Sequence, residues 1–429
     1  MQRVLTGITT TGTPHLGNYV GAIRPAIQAS RQPQVDSFLF LADYHALVKC
    51  DDPARVARSR LEIAATWLAA GLDPQRAVFY RQSDIPEIPE LAWLLSCVSA
   101  KGLLNRAHAY KAAVDANVAA AEDPDAGISM GLYGYPVLMA ADILIFNAHK
   151  VPVGRDQVQH IEMARDFAQR FNHLFGRGEA LFELPEAVIE EQVATLPGLD
   201  GRKMSKSYDN TVPLFAGGAK ATLEAIKRIV TDSRAPGEPK QPEGTALQLI
   251  FEAFASPAEA AGFATALREG LGWGEAKQRL AARIEDDLAP MRERYAELIA
   301  RPDDIEDILQ AGARRARTVA TPFMARLREA VGLGRLGSAA RSAAPAATGK
   351  AALPQFKQYR EQDGRFYFKL LDAEGRLLAQ SDAYPQPREA GQAVAALKAD
   401  PEARLPDGLR LGEGIDEAAL RAALRQLAG

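Results

Sequence analysis

The first 175 residues alternate between short apolar runs that favour β-strands and longer segments with helical spacing of apolar residues. The strand-like runs are residues 4–9, 37–47, 77–81 and 150–153. Such alternation predicts a mostly parallel sheet with helices on both faces. Ligands of such sheets collect at the carboxyl ends of the strands. We therefore expect an α/β, Rossmann-like domain over residues 1–215.

The sequence pattern changes twice beyond this region. Residues 216–333 are almost wholly helical and predict an all-α domain. Residues 334–354 are small and Ala-rich, which is typical of a linker. In residues 355–429, two alternating runs flank Gln362–Asp363–Gly364, and a short strand and a helix follow. This last segment predicts a hairpin within a small α+β module.

Composition excludes several protein classes. Hydrophobic residues make up 47% and charged residues 24% of the chain, as in soluble globular proteins. No apolar stretch is long enough to span a bilayer, and residues 1–10 lack the pattern of a secretory signal, so we expect a cytoplasmic location. Cys50 and Cys97 are the only cysteines, and we expect buried thiols. Two cysteines cannot ligate a four-cysteine iron–sulfur cluster.

A Thr- and Gly-rich segment, residues 9–18, follows the first strand and opens a helix. Backbone N–H groups and the helix dipole favour a phosphate at such a position. His15 and Asn18 are three residues apart and face the same side of the helix start. Gly17 allows a flat base to lie against the backbone. A turn that merely caps a helix is the alternative.

A second segment, residues 203–207, reads Lys-Met-Ser-Lys-Ser. Its two lysines and two hydroxyls suit a pyrophosphate clamp, because positive charge stabilises departing phosphates in the transition state. A solvent-exposed basic loop is the alternative for this segment alone.

A third segment places Tyr135, Met139 and Asp142 on one face of a predicted helix. Asp142 can accept a hydrogen bond from an indole N–H, which is a donor-only group. Met139 can pack its sulfur against a ring edge. Structural pairing of the carboxylate and simple core packing of the methionine are the alternatives.

Taken together, these segments resemble the class I aminoacyl-tRNA synthetases. His15-Leu16-Gly17-Asn18 resembles their HIGH motif, with Asn in place of the second His, and residues 203–207 match KMSKS in full. The separation of the two motifs fits the tyrosine and tryptophan members. Residues 135–142 (YPVLMAAD) and 151–162 (VPVGRDQVQHIE) resemble the tryptophan members.

The resemblance implies an enzyme that activates tryptophan with ATP and transfers it to tRNA(Trp). The implied catalytic residues are His15, Asn18, Lys203 and Lys206. The implied ATP site comprises Thr9, Thr10, Thr11, Gly17, Asn18, Gly154, Arg155, Asp156, Val193, Lys203, Met204, Ser205, Lys206 and Ser207. The implied tryptophan site comprises Leu5, Gly7, His45, Tyr135, Met139, Asp142, Val151, Val153 and Gln157.

The resemblance also implies which residues contact which part of the amino-acid substrate. Gln157 and Tyr135 are implied to hold the amino group. Thr9 departs from the many bacterial relatives that have Gln there to bind the amino acid. We expect His160 and Glu162 to pair on the helix surface.

An arginine-rich stretch, residues 310–341, contains seven arginines and one acid. Such a stretch can bind phosphate or form a solvated helix face. The resemblance implies that Arg314, Arg315 and Arg317 bind tRNA, and that the enzyme is a homodimer. It also implies Mg²⁺ bound to ATP, with no metal site made by the protein alone.

Several alternatives remain open at this level. The nearest is a tyrosine-specific member of the same class. Others are an inactive relative that binds tRNA or senses tryptophan, and a small nucleotidyltransferase that shares the first motif. The C-terminal aromatic residues suit either a core or RNA stacking: Phe356, Tyr359, Phe366, Tyr367 and Phe368.

Overall fold

The computed structural model describes residues 1–10, 12–189, 196–336, 353–361, 363–373 and 375–428. The chain forms two compact units, Met1–Arg335 and Leu336–Gly429. Among the described residues, no helix combines the length and apolar character needed to cross a bilayer. The predicted contacts Thr11 and Val193 lie outside the described residues, as does most of the predicted linker.

The first unit contains a five-stranded parallel sheet in the order β3-β2-β1-β4-β5, which confirms the predicted Rossmann-like class. From β1 the chain adds β2 and β3 on one side of the sheet, and β4 and β5 then extend it on the other side. Sheets of this kind bind ligands where the strand order reverses, which here is between β1 and β4. The pattern predicted four of the strands and missed β5. The strands are β1 Gln2–Thr9, β2 Val35–Ala42, β3 Val78–Arg81, β4 Lys150–Pro152 and β5 Glu186–Val188.

The second strand is shorter than predicted. It was expected to run to Leu47, but β2 ends at Ala42 and Asp43–Ala46 forms a short helix. The buried Asp43 carboxylate accepts hydrogen bonds from the Ser83 N–H at 3.0 Å and the Ser83 hydroxyl at 2.5 Å. These bonds turn the chain out of the sheet and bring the segments after β2 and β3 together.

Helices cover both faces of the sheet and continue to the end of the first unit. Helical segments α1 and α2 are joined by a π-helical turn, Tyr19–Ile23. The described helices of the sheet region are α1 Leu16–Asn18, α2 Arg24–Ser30, α3 Asp43–Ala46, α4 Pro53–Ala69, α5 Glu87–Ser96, α6 Lys101–Leu104, α7 His108–Ala119, α8 Met130–Leu144 and α9 Val158–Phe175. Those that follow are α10 Gly218–Lys227, α11 Ala246–Phe254, α12 Pro257–Arg268, α13 Trp273–Ala300 and α14 Pro302–Ala330.

The helical part shares its cores with the sheet. Helix α13 packs on α4, and α14 packs along β3. At Gly312 of α14, an added Cβ would lie 1.7 Å from the carbonyl oxygen of Phe79 in β3, so only glycine allows this approach. Residues 1–215 and 216–333 were predicted to be separate domains. Both ranges lie within one compact unit, so the boundary between them stays a prediction about function.

The second unit contains an antiparallel sheet in the order β6-β7-β8-β9. The predicted hairpin and the third strand are present as β6 Gln355–Arg360, β7 Phe366–Leu371 and β8 Leu377–Gln380, and the predicted helix is α15 Pro387–Ala399. The pattern missed β9 Arg410–Leu411 and α16 Glu417–Ala428.

The aromatic residues of the hairpin divide between its two faces. Phe368 is fully buried and packs with Phe356 in the core of this unit. Tyr359 stacks on Tyr367 at a ring-centroid distance of 5.6 Å. Core packing therefore accounts for the phenylalanines Phe356 and Phe368, and the tyrosine pair is only partly buried.

Candidate active site

Most of the predicted site residues of the first unit lie on or just beyond the carboxyl ends of parallel strands, and these ends meet at one edge of the sheet. Residues 9–18 end β1 and open α1, His45 follows β2, and residues 154–157 follow β4. Gln82, which the sequence pattern did not single out, follows β3 directly.

A cleft of about 500 Å³ opens beside the turn after β1. The turn lines it with Thr9, Gly12, His15 and Asn18. Ser205 and Lys206 of the second motif line it as well, although they are distant in sequence. The structure therefore brings the two motif segments together around one cavity. Three residues that the sequence pattern missed also line this cavity: Lys49, Cys50 and Arg55.

Backbone contacts hold the two motif segments side by side. The Leu16 N–H donates to the Val212 carbonyl at 3.0 Å, and the Gly17 N–H donates to the Met204 sulfur at 3.3 Å. An added Cβ on Gly17 would lie 3.0 Å from the His15 ring and 3.3 Å from the Met204 Cβ. Gly17 thus permits a close approach, and a larger residue would crowd the His15 ring and Met204.

The buried Asn210 organises the lysine loop. Its Oδ1 accepts from the Ser205 N–H at 2.8 Å, and its Nδ2 donates to the Asp200 carboxylate at 2.7 Å and to the Lys203 carbonyl at 3.1 Å. An amide supplies both a donor and an acceptor, which this position uses. The sequence pattern missed this residue because asparagine is ordinary in loops.

His15 and Lys206 share an electrostatic environment at the cleft. Burial, and then the nearby Lys206 charge, lower the pKa of His15 to about 4. Burial also lowers the pKa of Lys206, with a contribution from Arg55. Within the described residues, the His15 Nδ1 and the buried Thr10 hydroxyl have no hydrogen-bond partner. The cleft thus combines the positive charge of Lys206 with the unpaired His15 nitrogen, which suits an anionic, hydrogen-bonding ligand.

The other predicted ATP contacts lie either in the lysine loop or in the turn after β4. Lys203 is exposed and lies outside the lining of the described cleft. Ser207 belongs to the short helical turn Lys206–Tyr208, and its side chain lies outside the described set. Arg155 and Asp156 lie in an exposed turn after β4 that begins at Gly154, where an added Cβ would be 2.7 Å from the Asp156 Oδ1.

Asp142 is buried at the end of α8 and lies at the centre of a hydrogen-bond cluster. The His45 Nε2 lies 2.8 Å from its Oδ2. The Gln82 amide donates to Oδ1 at 2.8 Å and to Oδ2 at 3.0 Å. Burial raises the pKa of Asp142, and the bonds from His45 and Gln82 oppose that rise. Since a carboxylate offers about four lone-pair positions, one position on Oδ1 remains for another donor.

A second series of hydrogen-bonded side chains links α8 and α9 to the turn after β4. The Tyr135 hydroxyl lies 2.6 Å from the His160 Nε2, the His160 Nδ1 lies 3.0 Å from the Gln157 Oε1, and the Gln157 Nε2 donates to Asp156 at 2.9 Å. His160 is only 2% exposed, so the expectation of surface pairing was wrong for it. Its ring faces α8 instead of the solvent. Glu162 does lie on the surface, 3.6 Å from Arg165.

Apolar residues of the predicted tryptophan site belong to one hydrophobic core. Leu5 and Val151 are buried there, and Met139 and Val153 pack against it partly exposed. Gly7 adjoins the Phe40 ring, because an added Cβ would lie 2.6 Å from two ring atoms. These residues come from β1, α8 and β4 and its following segment, as the sequence pattern suggested.

Two of the three predicted tRNA contacts bind within the protein. Arg315 donates to the carbonyls of Pro74 at 2.6 Å and Ala77 at 3.0 Å. Arg317 forms an ion pair with the buried Glu87 at 3.1 Å. Both attach α14 to the sheet region. Arg314 and Arg317 are exposed, and Arg315 is half-buried. Cys97 is also exposed, so the expectation of two buried thiols was wrong for this residue and held for Cys50.

Comparison with known proteins points to one enzyme group. Residues 1–289 match the family model of class I tRNA synthetases for tryptophan and tyrosine. The tryptophan--tRNA ligase of Pseudomonas aeruginosa is 66% identical over 415 residues, which cover 96% of this chain and 92% of that protein. The ligase of Bordetella parapertussis is 66% identical over 92% of this chain and 87% of its own length.

Solved structures agree in fold. The tryptophanyl-tRNA synthetase of Campylobacter jejuni, solved with ADP and tryptophan, superposes with a TM-score of 0.71 at 40% identity, covering 77% of this chain and all of that one. The enzyme of Mycoplasma pneumoniae has a TM-score of 0.63 at 28% identity, covering 78% and 98% of the two chains.

Proposed function

Because the chain belongs to the class I tRNA synthetases for tryptophan and tyrosine, we propose that it is a tryptophan--tRNA ligase. The observation that carries this proposal is the meeting of the two motif segments at one cleft, together with a buried acceptor, Asp142, at the same edge of the sheet. The substrates are L-tryptophan, ATP and tRNA(Trp).

In the first reaction, a carboxylate oxygen of tryptophan attacks the α-phosphorus of ATP. The bond between the α-phosphorus and the oxygen that bridges it to the β-phosphorus breaks. Tryptophanyl-adenylate and pyrophosphate form. Lys206 lines the cleft and supplies positive charge for the departing phosphates. Lys203 lies in the same loop but outside the described lining of the cleft. The Nδ1 of His15, which has no partner among the residues that the structure describes, and the amide of Asn18 suit contacts with phosphate or ribose oxygens.

In the second reaction, a terminal hydroxyl of the tRNA adenosine attacks the carbonyl carbon of the adenylate, and AMP leaves. Neither reaction requires a covalent bond to the protein, so positioning and charge stabilisation account for most of the catalysis. Mg²⁺ would be held by the ATP phosphates, since magnesium at nucleotide sites is bound largely by substrate phosphates and water.

Tryptophan selection is proposed to rest on Asp142. Its remaining lone-pair position on Oδ1 suits the indole N–H, and phenylalanine would leave that buried position without a donor. Sites of this type discriminate by roughly 10⁴–10⁵. Met139, Val151 and Val153 supply apolar surface for the ring, and Tyr135 and Gln157 supply oxygen atoms for the amino group.

The tRNA contact is proposed for the exposed Arg314, while Arg315 and Arg317 hold the helix that carries it. We further propose a cytoplasmic homodimer on the strength of the family. The tyrosine-specific alternative is less favoured, because Met139 stands where tyrosine enzymes tend to have Gln.

A panel of amino acids in ATP–pyrophosphate exchange tests the proposal. Purified protein should incorporate labelled pyrophosphate into ATP with tryptophan and show no more than background with tyrosine or phenylalanine. Exchange with tyrosine would indicate the other branch of the family. Absence of exchange with every amino acid would indicate an inactive relative.

A further inference from the structure

We infer that Arg55 of α4 is a further contact for the ATP phosphates that leave as pyrophosphate, on a wall of the cleft that neither motif segment supplies. This inference rests on the proposed function and deepens it. Arg55 lies at the start of α4 and lines the same cleft of about 500 Å³ as His15, Ser205 and Lys206. It adds a residue from a third segment of the chain to the proposed nucleotide site.

The side chains that line the cleft carry an unbalanced charge. Among the described residues of this lining, Lys49, Arg55 and Lys206 are cationic, and none is an aspartate or a glutamate. Like charges around one cavity repel each other, and a polyanion between them removes this repulsion. The buried His15, whose Nδ1 has no partner among the described residues, lines the same cavity. The lining therefore fits a phosphate chain, which is negatively charged and accepts hydrogen bonds.

Arg55 and Lys206 act on the same part of this cavity. Burial lowers the pKa of Lys206, and the nearby Arg55 charge lowers it further. Glu62 opposes this effect, but it lies outside the described lining and accepts a hydrogen bond from the Thr13 hydroxyl at 3.0 Å. Because Lys206 is proposed to stabilise the departing phosphates, Arg55 is assigned to these phosphates and not to the adenosine end of ATP.

Arg55 occupies a helix position that disfavours a cation. It is the third residue of α4, which begins at Pro53. The N-terminus of a helix carries partial positive charge, so an arginine in the first turn is electrostatically unfavourable there. Within the described part of the chain, the Arg55 guanidinium has no hydrogen bond or ion pair that offsets this cost. A phosphate would offset it, because a guanidinium binds phosphate through two parallel N–H donors.

Titration with two nucleotides tests the inference. ATP carries the phosphates that leave, whereas AMP carries only the α-phosphate. Arg55→Gln should weaken ATP binding about tenfold and change AMP binding less than about twofold. Arg55→Lys keeps the charge but loses the two parallel donors, so it should weaken ATP binding about threefold. In pyrophosphate exchange, the ATP KM of Arg55→Gln should rise about tenfold while the tryptophan KM stays within about twofold.

Arg58→Gln provides a matched control, since Arg58 is an exposed arginine of the same helix that lies outside the described lining of the cleft. It should leave ATP binding and the tryptophan KM unchanged. Unchanged ATP binding in Arg55→Gln, or equal weakening of ATP and AMP, would overturn the inference. Equal weakening of ATP binding in Arg58→Gln would also overturn it, because the effect would then come from net charge. A wild-type protein that binds ATP without tryptophan-dependent exchange would instead contradict the proposed function.

Discussion

The Gln82 amide donates to both carboxylate oxygens of Asp142, and its own Oε1 accepts the Tyr44 N–H at 3.0 Å. Gln82 is fully buried, so this glutamine has no solvent contact. It joins the ends of β2 and β3 to the acidic residue of α8. The orientation of the Asp142 carboxylate is therefore set by a neighbouring strand as well as by its own helix.

Replacing Asp142 by alanine should nearly abolish tryptophan activation. The change removes the proposed acceptor for the indole N–H and leaves the Gln82 amide without its partner in a buried site. We expect kcat/KM for tryptophan in pyrophosphate exchange to fall at least about a hundredfold. Exchange kinetics equal to the wild type would remove Asp142 from its proposed role.

Replacing Gln82 by leucine should give a milder defect of the same kind. Asp142 would keep the bond from His45 but would lose the amide that orients it. We expect the tryptophan KM to rise about tenfold with little change in the ATP KM. Gln248→Leu alters a buried glutamine of α11 and serves as a matched control, since its amide bonds to Glu252 and not to the site.

Replacing Asn210 by alanine should impair the lysine loop selectively. The Ser205 N–H and the Lys203 carbonyl would lose their shared partner, so the loop would no longer be held beside the cleft. We expect kcat of pyrophosphate exchange to fall tenfold or more, while tryptophan binding measured by titration stays within twofold. Weakened tryptophan binding together with normal kcat would contradict this assignment.

Protonation of His15 should make stability depend on pH. Its pKa is about 4 when folded and 6.5 in the unfolded reference, so the unfolded chain takes up the proton first as pH falls. The contribution of neutral His15 to the free energy of unfolding is complete above about pH 6.5 and is lost progressively toward pH 4. At pH 5 about 2 kcal/mol of this free energy has been lost. Between pH 7 and 5, the wild type should lose more thermal stability than His15→Asn. Parallel losses would show that His15 does not titrate as described.

Replacing individual arginines of α14 should affect either the stability of the protein or its binding of tRNA. Arg315→Ala removes two bonds to the segment before β3, so the melting temperature should fall by about 4 °C. Arg314→Ala should leave the melting temperature unchanged and reduce the salt dependence of tRNA binding. A normal salt dependence in Arg314→Ala would exclude this residue from the proposed tRNA surface.

The sheet and the two motif segments could be predicted because they depend on local patterns. The apolar run of β2 and the His15–Asn18 spacing are both visible in a short window of sequence. The meeting of His15 and Lys206 at one cleft required the resemblance, because nothing local indicates which distant loop returns to the first turn.

Gln82, Asn210 and His160 could not be recognised from their residue types. Gln82 and His160 depend on partners that lie on other helices, Asp142 and Tyr135. Asn210 depends on nearby loop atoms such as the Ser205 N–H, and its residue type does not reveal which of them it joins. Helical spacing placed His160 on α9 correctly, but it could not indicate that this face of the helix turns toward α8. The intramolecular bonds of Arg315 could not be predicted for a similar reason, since the carbonyls that it binds precede it by more than two hundred residues. The predicted tRNA contacts of these arginines stay a prediction.

The contact of Gly312 with the carbonyl of Phe79 has a mechanical consequence. With backbone against backbone, no side chain separates α14 from β3 at this point. Gly312 lies two residues before Arg314 on the helix, and Phe79 lies three residues before Gln82. Any side chain at position 312 would therefore push the helix away from the strand that leads to Gln82.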